Sequence, residues 1–484
     1  MNGISDDGAS GARRFPPGFI WGASTSAYQI EGAVEEDGRG RSIWDTFSHT
    51  PGKVHGGDTG DIACDSYHRS EVDLELLSAL GAGGYRFSIA WPRVQPTGSG
   101  RANQRGLDYY RSLIGGLRDR DIVPLATVYH WELPQELEDE GGWANRDTAN
   151  RFAEYAELLA REFGDQVGMW ITLNEPQVSA SQGYRIGTHA PGKTDMGLAA
   201  AATHHLLLGH GLAMQAMRAV LPEAGQVGIA LDLHPIRAAG EHAADAAAVA
   251  DAEQNRIFLE PVLHGSYPGL ARAEMLPPPA LIEPGDMQLI SAPVDFLGVN
   301  YYSPHYVRIG DWDDLRQGES PLAGHPGVVT YLPADLPHTV MGWIVEPDGL
   351  YDTLRALNRE APGLPLYITE NGCAADDYVD PEGRINDFDR VEYLHGHFDA
   401  AWRAIRDGVN LAGYFVWSLL DNFEWARGYQ RRFGLYFVDF GTQRRIPKAS
   451  AGFYSVVAST NALPSPSGNG AVGEHMLAAA EASG

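Results

Sequence analysis

A chain of 484 residues, 44% hydrophobic and 20% charged, is long enough for several domains, although large α/β barrels also run past about 400 residues as one. Its 63 acidic residues outnumber 36 basic ones, and the net charge of -27 repels polyanions, so nucleic acid and anionic membrane surfaces are not expected partners. Two cysteines, Cys64 and Cys373, are too few for a disulfide framework and read as free thiols outside any metal-ligand spacing.

In chain order, residues 1–14 are polar and Gly/Ser/Asp-rich, which fits neither a secretory signal nor a transmembrane span. A flexible tail and a cytoplasmic location are the expectation. From there, eight short segments rich in Val, Ile, Phe, Tyr and Trp recur: Phe19–Ser24, Gly84–Ala90, Ile122–His130, Met169–Asn174, Val227–Asp232, Phe296–Tyr301, Leu366–Glu370 and Gly413–Ser418. Helix-compatible stretches separate them, the pattern of repeated βα units, and eight such units close a (β/α)8 TIM barrel. Helical spacing is cleanest over Asn150–Phe163, Leu198–Val220 and Arg390–Arg406. Gly81-Ala82-Gly83-Gly84 leads into a strand rather than a helix, so it does not read as a phosphate cradle.

Glu31–Asp65 and Ser303–Pro337 are long, irregular in pattern and rich in Gly, Pro, Asp and His, and are predicted as loops over the C-terminal mouth of the barrel. Residues 461–484 turn Ala/Gly/Ser/Pro-rich and read as a loose tail. One catalytic barrel over residues 15–460 is therefore predicted.

Chemistry concentrates in two phrases, Thr172-Leu173-Asn174-Glu175-Pro176 and Ile368-Thr369-Glu370-Asn371-Gly372, each ending an apolar run in a glutamate at the C-terminal end of a predicted strand. Splitting an acetal needs one carboxylic acid to protonate the leaving oxygen and one carboxylate opposite it, which attacks the anomeric carbon when the two stand about 5 Å apart. Glu175 and Glu370 are the candidates for that pair. Taken singly, a glutamate after a strand also reads as a helix N-terminal charge.

The two phrases resemble those of glycoside hydrolase family 1, the β-glucosidase and β-galactosidase family. Further matches are Phe15-Pro16-Pro17-Gly18-Phe19-Ile20-Trp21-Gly22-Ala23-Ser24, Gly40-Arg41-Ser42-Ile43-Trp44-Asp45, Tyr85-Arg86-Phe87-Ser88, Tyr129-His130-Trp131, Asn300-Tyr301-Tyr302 and Trp417-Ser418-Leu419-Leu420-Asp421-Asn422-Phe423-Glu424-Trp425. By that resemblance Glu370 is the nucleophile and Glu175 the acid/base. Arg86 and Tyr302 are expected to keep Glu370 ionised, and Glu175, facing the charge of Glu370, to hold its proton. Asn174 is expected at the sugar's 2-hydroxyl, with Gln29, His130, Trp131, Glu424, Trp425 and Phe433 around the glycone, Trp417 beneath the ring and Trp343 as an aglycone platform. His130, Trp417 and Trp425 also have an ordinary reading as core packing.

What the resemblance implies is a retaining exo-β-glucosidase that needs no cofactor and no metal. Its substrates would be cello-oligosaccharides and aryl or alkyl β-glucosides, with β-galactosidase and β-fucosidase side activities. A homo-oligomer is compatible with this. The alternatives are a related exo-glycosidase with galactose or mannose as its main glycone, and a catalytically inactive carbohydrate-binding barrel. Glu424 argues against 6-phosphorylated sugars. Two positions depart from the family: Gln177 stands where many relatives carry tryptophan, and Cys373 follows the Glu370 phrase directly. His204, His205 and His210 in one helical stretch and His395 and His397 in another lack the spacing of a metal-binding helix face and read as packed or solvated helix positions.

Overall fold

A computed structural model describes residues 13–465, apart from 241–242, 311–312, 314, 316–318 and 322–326. Eight parallel strands close a barrel in strict chain order. They are β1 (Ile20–Ser24), β2 (Gly84–Ser88), β3 (Val123–Tyr129), β4 (Met169–Asn174), β5 (Gln226–Asp232), β6 (Phe296–Asn300), β7 (Leu366–Asn371) and β8 (Leu411–Trp417). All eight predicted strands are therefore present, and helices cover the outside, as a (β/α)8 TIM barrel requires.

Inside the barrel, Leu125, Met169, Ile171, Ala230, Phe296, Tyr367 and Phe415 form a separate apolar plug. Its tightness sets the composition of β1. A Cβ at Gly22 would stand 2.3 Å from the Phe415 ring, so only glycine lets that ring fill the lumen. On the outside, the helix Asp147–Phe163 begins where Asn145 Oδ1 takes the Asp147 amide, slightly ahead of the predicted start. Its Phe152, Tyr155, Leu159 and Phe163 are fully buried, each worth about 1.5–3 kcal/mol of apolar burial. The helices Met196–Arg218 and Phe388–Arg406 match their predicted spans closely.

Three expectations are corrected. Ser303–Pro337 is not a plain loop: His305–Ile309, Glu319–Pro321 and Val328–Tyr331 join Ile236–Ala238 in a four-stranded sheet beside the mouth. Val307 and Val328 from this sheet bury against Ala247 and Ala250 of the helix Ala244–Asp251, a small core whose two halves come from distant segments. Glu31–Asp65 holds the helix Ile43–Ser48, started by a capping box in which Ser42 and Asp45 satisfy each other's backbone amides. Residues 13–14 and 461–463, predicted to lie in the tails, are structured. Arg13–Arg14 pairs antiparallel with Ala462–Leu463, and Asn461 Nδ2 donates to the carbonyls of Phe15 and Pro16, each at 3.0 Å. The remainder of both predicted tails lies outside the described residues.

Candidate active site

At the C-terminal ends of β4 and β7 the regular register breaks. Pairing slips between Ile171 and Asn174 on β4 and between Ile368 and Glu370 on β7. An extra residue in a strand re-aims the side chains that follow it. Met169 and Ile171 belong to the inner plug while Leu173 packs in the outer core, and the slip turns Asn174 and Glu175 towards the mouth. Glu175 itself takes the left-handed conformation (φ +45°, ψ +63°) ahead of Pro176, which opens a short helix. Trp131 and Trp425 share that unusual backbone region, at φ +75° and +47°. Non-glycine residues held there collect at functional sites.

Glu370 is tied on both oxygens. Arg86 Nη1 on β2 donates to Oε1 at 2.5 Å and the Tyr302 hydroxyl donates to Oε2 at 2.6 Å. Arg86 is fully buried, and its Nη2 donates to Asn174 Oδ1 at 2.5 Å, so one guanidinium spans the two glutamate phrases. Glu175 is held differently. Asn300 Nδ2 on β6 donates to Glu175 Oε1 at 2.6 Å and to Asn174 Oδ1 at 3.1 Å.

These surroundings separate the two carboxyls. Burial pushes Glu175 well above the ordinary carboxyl range, the charges of Asp232 and Glu370 push it further, and Asn300 and Arg86 oppose only in part. Burial also raises Glu370, but there Arg86 and the Tyr302 hydroxyl pull back. Burial raises both carboxyls. Arg86 and Tyr302 do not hold Glu370 below its ordinary value; they restrain a rise caused by burial. Among charges, Asp232 rather than Glu370 acts most strongly on Glu175. Negative neighbours thus add to the rise at Glu175, whereas at Glu370 Arg86 and Tyr302 offset it.

The other predicted residues gather at the same mouth. Asn174 Oδ1 accepts from two donors, so its Nδ2 faces His130 Nε2 at 3.0 Å and makes that nitrogen an acceptor. The proton of His130 then sits on Nδ1, which is buried with no partner among the described residues. Burial and the charge of Arg86 hold the ring well below its ordinary value, hence neutral. Trp131 Nε1 donates to the Asn174 carbonyl at 3.0 Å, and the Trp131 ring packs on Trp425 at 4.6 Å.

Gln29 and Glu424 form a second polar group. Gln29 Nε2 donates to Asn422 Oδ1 at 3.0 Å, to the Phe423 carbonyl at 2.9 Å and weakly to Glu424 Oε2 at 3.5 Å. Burial and the charge of Glu370 push Glu424 up to about 8. The loop after β8 that carries Glu424, Trp425 and Phe433 folds around Asp421, whose carboxylate takes Lys448 Nζ and Arg432 Nη1, each at 2.6 Å. Trp417 and Phe433 cluster with Tyr302 and Trp343, and His130 lies flat against Trp417 at 5.8 Å.

Sequence reasoning missed Asn300 as a site residue, and Asp232 altogether. Both are polar groups at the C-terminal end of an apolar strand, the signal that picked out Glu175 and Glu370, so applying it to every strand finds them. Beside the Glu175 side of the mouth lies a cavity of about 520 Å³ lined by Gln177, Asp232, His234, Phe258, Tyr306 and Trp343 among others. The two helical histidine groups are packed. His204 meets Tyr267 and Asp286, His205 the Trp143 carbonyl, His210 Thr172, His395 the Pro464 carbonyl and His397 the Tyr393 carbonyl. Among the described residues, no helix is long and apolar enough to cross a membrane.

Comparison with known proteins agrees with this geometry. The family model described as glycosyl hydrolase family 1 matches residues 12–463. The chain is 49% identical to the thermostable beta-glucosidase B of Thermobispora bispora, over 94% of this chain and 93% of that one. It is 47% identical to the bifunctional beta-D-glucosidase/beta-D-fucosidase of Bifidobacterium breve, over 91% and 97%. Among solved structures, the beta-glucosidase from Thermotoga maritima in complex with azafagomine superposes with a TM-score of 0.87 at 46% identity, covering 93% of this chain and 99% of that one.

Proposed function

The chain belongs to glycosyl hydrolase family 1, and on that premise we propose that it is a retaining exo-β-glucosidase in which Glu370 is the nucleophile and Glu175 the acid/base. The observation that carries the division of roles is the unequal grip on the two carboxyls. Glu370 has a guanidinium and a phenol on its oxygens, whereas Glu175 has one amide donor and negative neighbours.

In the first step Glu370 attacks the anomeric carbon from one face while the bond to the leaving oxygen breaks, and that oxygen takes the proton of Glu175. A glycosyl ester on Glu370 results. Its formation consumes the negative charge of Glu370, so Glu175, now ionised, is free to act as base. In the second step water attacks the same carbon from the side the leaving group vacated, Glu175 takes its proton, the ester bond to Glu370 breaks and frees that carboxylate, and the anomeric configuration is retained. Asn174 is oriented by Arg86, Asn300 and His130 to bind the 2-hydroxyl, a contact that strengthens as positive charge develops on the sugar ring.

Gln29, the Nδ1–H of His130 and Glu424 bind the remaining hydroxyls of the glycone, with Trp417 as the apolar floor and Trp131, Trp425 and Phe433 as walls. A carboxyl at Glu424 suits unmodified sugars and opposes a 6-phosphate. Substrates are terminal β-D-glucosyl residues of cello-oligosaccharides and aryl or alkyl glucosides, with galactosides and fucosides as side substrates. Work in a reducing cytoplasm fits the two buried, unpaired thiols Cys64 and Cys373.

The test is the initial rate on a matched panel of aryl β-glycosides: glucoside, galactoside, fucoside, mannoside, xyloside and 6-phosphoglucoside. A dominant glucoside rate with no phosphoglucoside turnover supports the reading. Absence of turnover across the panel in folded protein overturns it.

A further inference from the structure

A buried ion cluster joins the loops that follow β7 and β8, and the reaction as described leaves it unused. At its centre is Lys448, buried just ahead of the helix Ala449–Thr460. Its ammonium donates to Asp377 Oδ2 and to Asp421 Oδ1, each at 2.6 Å. The two carboxylates belong to different loops. Asp377 lies on the segment after β7 that begins behind Glu370, and Asp421 on the loop after β8, shortly before Glu424.

Each carboxylate is built into its loop. Asp421 Oδ1 also accepts from the Gly434 amide at 3.0 Å, and Oδ2 from Arg432 Nη1 at 2.6 Å, so this side chain joins both arms of the loop 421–434. The two residues after it meet Gln29: Asn422 Oδ1 accepts from Gln29 Nε2, and the Phe423 amide donates to the Gln29 carbonyl, each at 3.0 Å. On the other side, Arg390 Nη2 donates to Asp377 Oδ2 at 2.8 Å and Arg390 Nε to the Cys373 carbonyl at 3.1 Å. Arg390 Nη2 also donates to the Arg432 carbonyl at 2.8 Å, and Nη1 pairs with Asp387. Three cations, Lys448, Arg390 and Arg432, thus face three carboxylates, Asp377, Asp387 and Asp421. Well-packed apolar residues of the same volume often stabilise a fold no less than such a group. What charges at hydrogen-bond distance add is a fixed separation between the segments that carry them.

We propose that Lys448 is a positioning residue for glycone recognition: touching no substrate, it clamps the loop that carries Glu424 to the segment that follows Glu370, and so sets how Glu424 meets the 4- and 6-hydroxyls of the sugar. The inference rests on the reading of Glu424 as a glycone-binding residue. Glucose presents a hydroxymethyl group to Glu424 and xylose has none. Displacing the Glu424 loop therefore costs a glucoside more than a xyloside, because a small misplacement of a binding group is felt only by the substrate that uses it.

The test measures kcat/KM on a matched aryl β-glucoside and β-xyloside for wild type, Lys448→Met, Glu424→Ala and the double variant. Lys448→Met keeps most of the side-chain length and removes its charge and donors. Its glucoside-to-xyloside ratio falls roughly tenfold, through the glucoside. In Glu424→Ala the ratio falls as well, and adding Lys448→Met changes it no further, because the clamp acts through the carboxyl already removed. A ratio that stays at its wild-type value in folded Lys448→Met, or a second fall of equal size in the double variant, overturns the proposal: the cluster then supports the fold alone. Asp377→Asn keeps the size and an acceptor for Lys448 but not the charge, and carries the same expectations, severalfold in place of tenfold, should Lys448→Met misfold. If Glu424→Ala leaves the ratio unchanged, Glu424 has no part in glycone recognition and this inference falls with that reading, a failure the single Glu424 variant shows apart from any result at Lys448.

Discussion

Arg86 and Glu370 lie 2.5 Å apart with the guanidinium fully buried, and the same guanidinium reaches Asn174 at 2.5 Å. The proposed nucleophile and the group expected at the 2-hydroxyl are therefore positioned by one cation, and displacing either disturbs the other. Arg86→Met would leave Glu370 buried without its positive partner. The acidic limb of kcat/KM, which needs Glu370 ionised, is expected to rise by at least about one pH unit, because losing a cation favours the neutral acid. Breaking a buried pair on one side is also expected to cost roughly 3–5 kcal/mol of stability. An acidic limb at its wild-type position would contradict the pairing.

Glu370→Ala should lose turnover by about 10⁴-fold or more while sugar affinity, measured by calorimetry, survives. Added azide should restore part of the rate and give product of inverted configuration, since a small anion takes the place of the missing carboxylate. Near-normal rates in a preparation free of wild type would remove Glu370 from the nucleophile role.

For Glu175→Ala the size of the loss should depend on the leaving group. Alkyl glucosides and cellobiose should lose roughly 10²–10⁴-fold in kcat/KM, whereas a dinitrophenyl glucoside, whose departure needs no proton, should lose far less. Equal losses would mean that Glu175 does not supply the proton.

Glu424 gives a stability prediction whose sign runs opposite to that of an ordinary ion-paired carboxylate. Its folded-state value of about 8 lies above the unfolded one, so the folded protein holds a proton that the unfolded chain releases. Its contribution is full below the unfolded pKa and is lost as pH rises through about 8. Glu424→Gln should therefore flatten the fall of stability between pH 5 and 8 by up to about 1.4 kcal/mol per pH unit. Melting temperatures across that range read it directly; parallel slopes for variant and wild type would refute the prediction.

Trp343 packs with Tyr302 and Phe433 and also lines the 520 Å³ cavity beside Glu175. Trp343→Ala should raise KM for cellobiose several-fold more than KM for methyl glucoside, because only the former extends past the glycone. A uniform change would place Trp343 in support of the site rather than in contact with the aglycone.

By itself, the sequence determined the barrel, its eight strands and the two glutamate phrases. Those features are local: an apolar, β-branched run of five to seven residues reads as a buried parallel strand wherever its partners lie. Resemblance added the expected glycone residues, and they meet at one mouth because closure brings together the strand ends and the loops that follow them. Tertiary structure decided the rest. The pairing of Arg13–Arg14 with Ala462–Leu463 joins segments too short to declare themselves, and the sheet beside the mouth depends on alanines of a distant helix. The charge balance was hidden for the same reason. Burial depth and the effect of Asp232 on Glu175 arise only when separate strands close. The energies that set a proton on one carboxyl before another fall off over a few ångströms in space and carry no mark in the order of the chain.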